Sequence, residues 1–316
     1  MTLIHNPLDL ALGTRQVCIA IGVFDGEHLG HQQVVRQMVT DAQQQEAMSI
    51  VITFDCHPNT VVAQDRAPPL IYSLPQKLRA IATLGVDTTL LIHFDEPFSK
   101  QSGEQFIRDL ARDCQRIHSI CVGSSFTFGH KRSGDVAVLK ILGRELDFMV
   151  HGLAAVSLDG EIVSSTRIRE AIRNGQLDFA SQMLGRGYSL AGLVRAGDQL
   201  GRQLGFPTAN IDTTGLVLPP TGVYAIHATI GGKTYRAALN IGCRPTLTSE
   251  TPQLRVEAHL LNFTGDIYGQ EMEIAFVQKL RDEKKFPSTE ALKAQIALDV
   301  IAASKRFTDP SSGVTD

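Results

Sequence analysis

Apolar positions follow two different patterns along this chain. From Val17 to about Leu184, short continuous apolar runs alternate with longer segments whose apolar residues recur every three or four positions. The runs Val17–Val23, Ser49–Phe54, Thr88–Phe94 and Ser119–Val122 read as strands buried on both faces. Between them, Gln32–Gln45, Pro75–Leu84 and Gly103–Cys114 read as helices, the last opened by Ser102 with Gln105 three residues on, a capping signature. A further helical region covers Ser165–Leu184. Alternating strands and helices with short connections predict an α/β, Rossmann-like parallel sheet with helices on both faces. Such sheets bind ligands beyond the carboxyl ends of their strands. His31, His57 and the loop Gly123–Gly134 all follow predicted strands, so they are expected to converge on one crevice.

After Gly185 the pattern changes. Gly185–Tyr188 reads as a linker, and the expected division is 1–184 and 185–316. Beyond it come alternating or β-branched runs, Leu190–Val194, Gly222–Ile230, Thr234–Ile241, Arg255–Leu261 and Glu271–Val277, separated by Gly and Pro turns. Short strands at this spacing predict a small antiparallel β-barrel. Thr289–Ala302 has a helical period and is expected to pack on the barrel, and Thr308–Asp316 is a polar tail. Gly231-Gly232-Lys233-Thr234 superficially resembles a P-loop, but His227 stands where its first glycine belongs, so a hairpin turn is expected.

Composition narrows the class. The 316 residues are 43% hydrophobic and 20% charged, with a net charge of -3, so nothing draws the chain to nucleic acid or an anionic membrane. No apolar run approaches the ~20 residues of a membrane span. Met1–Asp9 lacks a basic segment followed by an apolar one, so no signal peptide is expected. The five cysteines are scattered and odd in number, without a C-x-x-C pair, which argues against disulfides and a structural zinc site. The expectation is a cytoplasmic enzyme acting on small molecules, without nucleic-acid or membrane partners, its oligomeric state left open.

Candidate chemistry begins at Gly22-Val23-Phe24-Asp25-Gly26-Glu27-His28-Leu29-Gly30-His31. This stretch turns a strand into a helix, where unpaired N–H groups and the helix dipole suit phosphate. His28 and His31 are three apart and share a face of the first turn. Ile162-Val163-Ser164-Ser165-Thr166-Arg167-Ile168-Arg169 opens another helix. One of its serines is expected as the cap, while hydroxyls with arginine at a helix start also suit departing phosphates. In the second half, Gly201-Arg202-Gln203-Leu204-Gly205-Phe206-Pro207-Thr208-Ala209-Asn210 is either a Gly-rich turn or a cradle for phosphate and Mg²⁺, with Thr208 and Asn210 as oxygen donors. Glu257 lies in the apolar run Val256–Phe263, facing opposite Val256 and with His259. A carboxylate there suits a general base.

These segments resemble the prokaryotic bifunctional riboflavin kinase/FMN adenylyltransferase (FAD synthetase) family. G-R-x-L-G-F-P-T-A-N and V-E-x-H-L-L-N-F match its kinase half, together with Gly222–Ala225, Asn240–Thr246 and Leu280–Phe286. G-x-F-D-G-x-H-x-G-H and S-S-T-x-I-R match its adenylyltransferase half. The resemblance implies a nucleotidylyltransferase-type parallel sheet followed by the barrel, and two reactions: riboflavin and ATP to FMN, then FMN and ATP to FAD and pyrophosphate. It implies Glu257 as the kinase base, Mg²⁺ at Thr208 and Asn210, and ATP phosphates near Gly205, Pro207 and Asn210. Arg281, Glu283 and Phe286 would lie over the flavin. In the other half, His28 and His31 would assist attack on the α-phosphate. Gly22, Phe24, Asp25, Gly30, Ser165, Thr166 and Arg169 would contact nucleotide or phosphate, and Phe54, His57, Pro58 and Ser125 the flavin.

Three positions depart from the family pattern, all in the first half: Ser125 where Asp or Asn is usual, Asp55-Cys56 in place of Glu-Pro, and Val23 where Asn is frequent. Ser125 and Asp55-Cys56 motivate one rival expectation, a riboflavin kinase with a degenerate first half; a non-catalytic flavin-binding regulator is a second rival with no positive sequence feature behind it.

Overall fold

The computed structural model describes residues 1–10, 15–197, 200–244 and 253–307. Pro245, Thr246 and the tail Thr308–Asp316, all within segments named above, lie outside them. The chain divides into two compact units, Met1–Ile168 with Met183–Gly185, and Arg169–Gln182 with Arg186–Asp316.

The first unit holds a six-stranded, wholly parallel sheet. Its strands are β1 (Thr2–Ile4), β2 (Val17–Ile21), β3 (Met48–Phe54), β4 (Thr88–Ile92), β5 (Ile117–Gly123) and β6 (Met149–Leu153). The order across the sheet is β1-β4-β3-β2-β5-β6. β2 is central and buried throughout, which is why its sequence shows no alternation. Side-chain parity nevertheless separates two cores. Val17, Ile19 and Ile21 join Ile50, Ile52 and Ile120 on the face covered by α3 (Gly103–Cys114) and α4 (Val136–Glu145). Cys18 and Ala20 join Val51 and Cys121 on the face covered by α1 (Leu29–Gln44) and α2 (Leu74–Ala82). The chain runs outward through β3 and β4, then returns to β5 on the other side of β2. The topological switch point, where such sheets bind ligands, is therefore at the carboxyl ends of β2 and β5.

The parallel sheet has six strands where four were expected. β1 has three residues, too few for a period, and β6 contains His151 and Gly152 and is a partly exposed edge strand. α4 was not among the expected helices; Asp135 starts it by accepting from Val138 N at 2.9 Å. α1 starts at Leu29 rather than Gln32, with His28 at the cap position. Ser102 accepts from Gln105 N as expected, but the Gln105 side chain turns to Asp109 instead of closing the box. Ser165–Leu184 is two helices, α5 (Ser165–Arg173) and α6 (Leu177–Leu184), broken where Gly175 adopts φ +73°. The division between the units falls inside α5, after Ile168.

The second unit is a closed antiparallel barrel of β7 (Ser189–Arg195), β8 (Ala209–Ile211), β9 (Gly222–Ile230), β10 (Lys233–Arg244), β11 (Gln253–Leu260) and β12 (Glu271–Arg281). Their order is β7-β8-β11-β10-β9-β12, and β12 closes on β7. Gly231 and Gly232, both at positive φ, form a two-residue turn between β9 and β10, as a hairpin requires. The barrel is filled by alternate residues, among them Ile211, Leu239, Ile241, Val256 and Ala258. α7 (Leu200–Leu204) lies before β8, and α8 (Thr289–Arg306) packs Ala303 on Ala225 and Ala238 outside the barrel. β8 was read as part of a glycine-rich loop, because three residues after Pro207 carry no visible alternation.

Candidate functional site

In the first unit the site grows from the turn between β2 and α1. Phe24, Gly26 and Glu27 all have positive φ, so the backbone reverses tightly. Asp25 steadies it from below: its buried carboxylate accepts from Ile71 N at 2.9 Å and from Tyr72 N at 3.3 Å. Phe24 is also buried, its ring edge-on to His31 at 5.3 Å. A Cβ on Gly22 would come within 2.9 Å of that ring, so this glycine is spatially required. Phe24 and Asp25, expected to contact nucleotide, thus present no exposed side chain; what they do here is shape the turn.

His28 and His31 stack, with ring centroids 3.7 Å apart and planes 18° from parallel. Gly30 permits this, because a Cβ there would press on the His28 ring at 3.3 Å. Burial first, then His28 and Lys77, hold the His31 pKa well below the usual imidazole range. His31 is therefore neutral at pH 7, and its Nδ1 is buried with no hydrogen-bond partner. His28 occupies the cap position without a side-chain cap bond, and the first intrahelical bond runs from Gln32 N to His28 O. The preceding N–H groups have no acceptor within the helix. A helix start and two adjacent imidazoles together make a site for developing negative charge.

Ser164 caps α5 through Arg167 N at 3.3 Å, while Ser165 Oγ donates to Asp25 O at 3.0 Å. The Ser165 proton is thus already used to dock α5 on the turn. Thr166 is exposed and Arg169 buried on the same helix. Among the flavin candidates, Phe54 packs edge-on to Phe94 at 5.4 Å, and His57 Nδ1 accepts from Asn59 N. Pro58 leads into a short helical turn, Asn59–Val62. Ser125 is exposed in the turn after β5, beside the stacked rings of Phe126 and Phe128. Asp55, one of the family departures, bonds His93 and accepts from Phe94 N at 3.1 Å, so it ties the ends of β3 and β4.

Two residues of this unit were missed. Gln32 is buried and donates to Glu27 O and Leu184 O, holding the turn from behind. Lys77 is buried on α2, donating to Val23 O, Thr53 Oγ1 and Phe54 O. The signal for Lys77 was present: it falls on the apolar stripe with Ala80, Ile81 and Leu84, where a solvated lysine does not belong.

In the second unit a cavity of about 550 Å³ lies against the outer wall of the barrel. Thr208, Asn210, Glu257, Arg281, Glu283 and Phe286 all line it; Gly205 and Pro207 do not. Gly205 shapes the approach with φ +89°, and Pro207 O accepts from His259 Nδ1 at 2.8 Å. Strand register assembles the centre. Glu257 on β11 is paired with Asn210 on β8 and Asn240 on β10, so carboxamide, carboxylate and carboxamide form a row across three strands. Alternation sends these side chains away from the core, opposite Val256 and Leu239. Asn240 also lines the cavity and was missed as a site residue, although its segment had been singled out. A Cβ on Gly197 would lie 2.1 Å from Asn210 Nδ2, so this glycine makes room for the carboxamide.

The outer rim is held by two anchors. Arg281 forms a fork with Asp299 of α8 at 2.8 and 2.6 Å, and its guanidinium lies 5.8 Å from the Phe286 ring centroid. Glu283 Oε1 accepts from Cys243 N at 3.0 Å. Oxygen donors at Thr208 and Asn210, with the Glu257 carboxylate adjacent, suit a hard divalent cation.

Two family models match successive parts of the chain. The FAD synthetase model matches residues 12–167 and the riboflavin kinase model residues 184–307. The bifunctional riboflavin kinase/FMN adenylyltransferase of Escherichia coli K12 is 35% identical over 309 residues, covering 97% of this chain and 98% of its own. Its counterparts from Haemophilus influenzae and Pseudomonas fluorescens are each 36% identical, covering 92% and 93% of this chain and 94% of their own. A crystal structure described as a macrolide-efflux protein from Streptococcus pneumoniae superposes with a TM-score of 0.78 at 28% identity, covering 96% of this chain and 98% of its own. Among the described residues here, no helix is long and apolar enough to cross a membrane. Two matched halves in order, with relatives of the same length, lead to one conclusion: the chain belongs to the bifunctional riboflavin kinase/FMN adenylyltransferase family.

Proposed function

We propose that this chain is a cytoplasmic enzyme of two activities, phosphorylating riboflavin to FMN in residues 185–316 and adenylylating FMN to FAD in residues 1–184. The observation that carries the reading is the row Asn210–Glu257–Asn240 on a cavity large enough for a flavin, in a chain whose other unit stacks two imidazoles at a helix start.

In the kinase step, Glu257 accepts the proton of the ribityl 5′-hydroxyl as its oxygen attacks the γ-phosphate of ATP, releasing ADP. Thr208 and Asn210 would hold Mg²⁺, which when bound draws the phosphates into line and offsets their charge. With two oxygen donors from the chain, ATP oxygens and water would supply the rest of its shell. Arg281, Glu283 and Phe286 cover the flavin, and Gly205 and Pro207 shape the phosphate approach.

In the second step, an FMN phosphate oxygen attacks the α-phosphorus of ATP. The bond to the α–β bridging oxygen breaks and pyrophosphate leaves. His28 and His31, with the N–H groups that open α1, stabilise the charge on the α-phosphate, and Gly22 and Gly30 let the turn close on it. Thr166 and Arg169 hold the leaving group, with Ser165 joining once its hydroxyl rotates. Phe54, His57, Pro58 and Ser125 contact the flavin.

Incubation with riboflavin and MgATP tests both steps, with products separated by chromatography and a parallel run started from FMN. FMN and FAD are expected. FMN alone, in both runs, would mean a kinase with a degenerate first half, the rival that Ser125 and Asp55-Cys56 motivate by departing from the family pattern. Flavin binding without ATP consumption would mean a regulator.

A further inference from the structure

Lys77 is buried, and it is bonded to both walls of the first site. Its Nζ donates to Val23 O, the residue that enters the turn, at 3.3 Å. It also donates to Phe54 O, the last residue of β3, at 2.7 Å, and to Thr53 Oγ1 at 3.2 Å. Thr53 in turn donates to Val23 O at 3.1 Å. Three acceptors require three N–H groups, and only the ammonium has three; the neutral amine has two. None of the three acceptors is a carboxylate, and Asp25 and Asp55 act on the charge without being bonded to it in this set.

We propose that Lys77 is a positioning residue for adenylyl transfer, its ammonium tying the His28–His31 turn to the β3 end that leads to His57 and setting a positive charge beside His31. The proposal rests on reading the 22–31 turn as the site of that reaction.

Two physical consequences follow. Burial, opposed by Asp25, Asp55 and Cys56, brings the Lys77 pKa down to about 8. The proton that completes its three bonds therefore leaves just above neutral pH. A lysine that titrates lower when folded than when unfolded makes the folded chain relatively more stable as pH rises through that interval. Alkaline loss of this group thus appears in activity and not as unfolding. The ammonium also helps to hold the His31 pKa down, together with burial and His28. The charged and titratable groups that face Lys77 are thus Asp25 in the turn, Asp55 and Cys56 after β3, and His31 on α1.

The test follows FAD formation from FMN against pH in the wild-type chain, Lys77→Met and Lys77→Arg, with His31→Ala alongside. In the wild type, kcat is expected to fall on the alkaline side with a midpoint near 8. Lys77→Met should lower kcat by about 10- to 100-fold at pH 7, of the order lost when a buried charge-assisted bond goes. It should also move the acid limb to higher pH, because His31 loses a positive neighbour. Lys77→Arg keeps the charge and should lose the alkaline limb. A merely structural lysine would move neither limb. Lys77→Met with a wild-type profile, or Lys77→Arg with an unchanged alkaline limb, overturns the proposal. Should either variant fail to fold, ¹³Cε-lysine NMR of the wild type decides: a lysine titrating at the alkaline midpoint supports the proposal, and none titrating below about pH 9 refutes it. If His31→Ala leaves FAD formation intact, the site reading itself is wrong; if His31→Ala abolishes it and Lys77→Met does not, only the role of Lys77 falls.

Discussion

The stacked imidazoles and the flanked carboxylate carry opposite expectations for single substitutions. His31→Ala removes a neutral ring proposed to face developing charge, so FAD formation from FMN should fall by about 10²–10³-fold while FMN formation continues. Glu257→Gln keeps the shape of the row but cannot take a proton, so FMN formation should fall by roughly 10²–10⁴-fold while conversion of FMN to FAD continues. Separate assays from riboflavin and from FMN check both, and joint loss in either folded variant would contradict two sites. Asp25 is expected to behave differently. Asp25→Ala strands the N–H groups of Ile71 and Tyr72 in the interior, at about 1–3 kcal/mol each. Urea unfolding should show the loss, and Asp25→Asn, which keeps one acceptor, should recover part of it. At this scale the imidazoles and Glu257 were legible because charged and titratable groups at a turn or in an apolar run are conspicuous. That Asp25 binds backbone was not legible, because its partners lie 46 and 47 residues away.

Among the elements, length decided what could be read. β2, β3 and α3 have enough residues to show a run or a period, and each lies within two residues of where the pattern puts it. β1 and β8 have three residues each and exist because a neighbouring strand supplies the hydrogen bonds. β8 matters most, since it sets Asn210 opposite Glu257. Its carboxamide lies over Gly197, which leads to a prediction for the loop after β7. Gly197→Ala puts a methyl where Asn210 Nδ2 lies, so Asn210 must turn out of the row. FMN formation should fall at least tenfold with little change in unfolding midpoint, and FAD formation from FMN should be unaffected; steady-state kinetics of the two reactions check this.

For the whole molecule, the two groups proposed to drive the chemistry, His28 with His31 and Glu257, lie in different compact units. A mixture of His31→Ala and Glu257→Gln chains should therefore make FAD from riboflavin, with FMN released by one and taken up by the other. Neither variant alone should do so, and chromatography of the mixture over time, with FMN rising before FAD, is the check.

The sequence by itself determined the two architectures, the order of the halves and most of the chemical groups. Apolar periodicity, turn residues and ionisable side chains are local properties, and a chain displays them whatever its fold. Tertiary structure alone decided which of those groups meet. The crossover from β4 to β5 puts the turn between β2 and α1 at the switch point of the sheet. Register across β8, β11 and β10 puts two carboxamides beside one carboxylate. Burial makes His31 neutral, and the ends of β2 and β3 draw in Lys77. These effects depend on contacts between distant segments, and the free energy of a buried charge depends on all its neighbours at once.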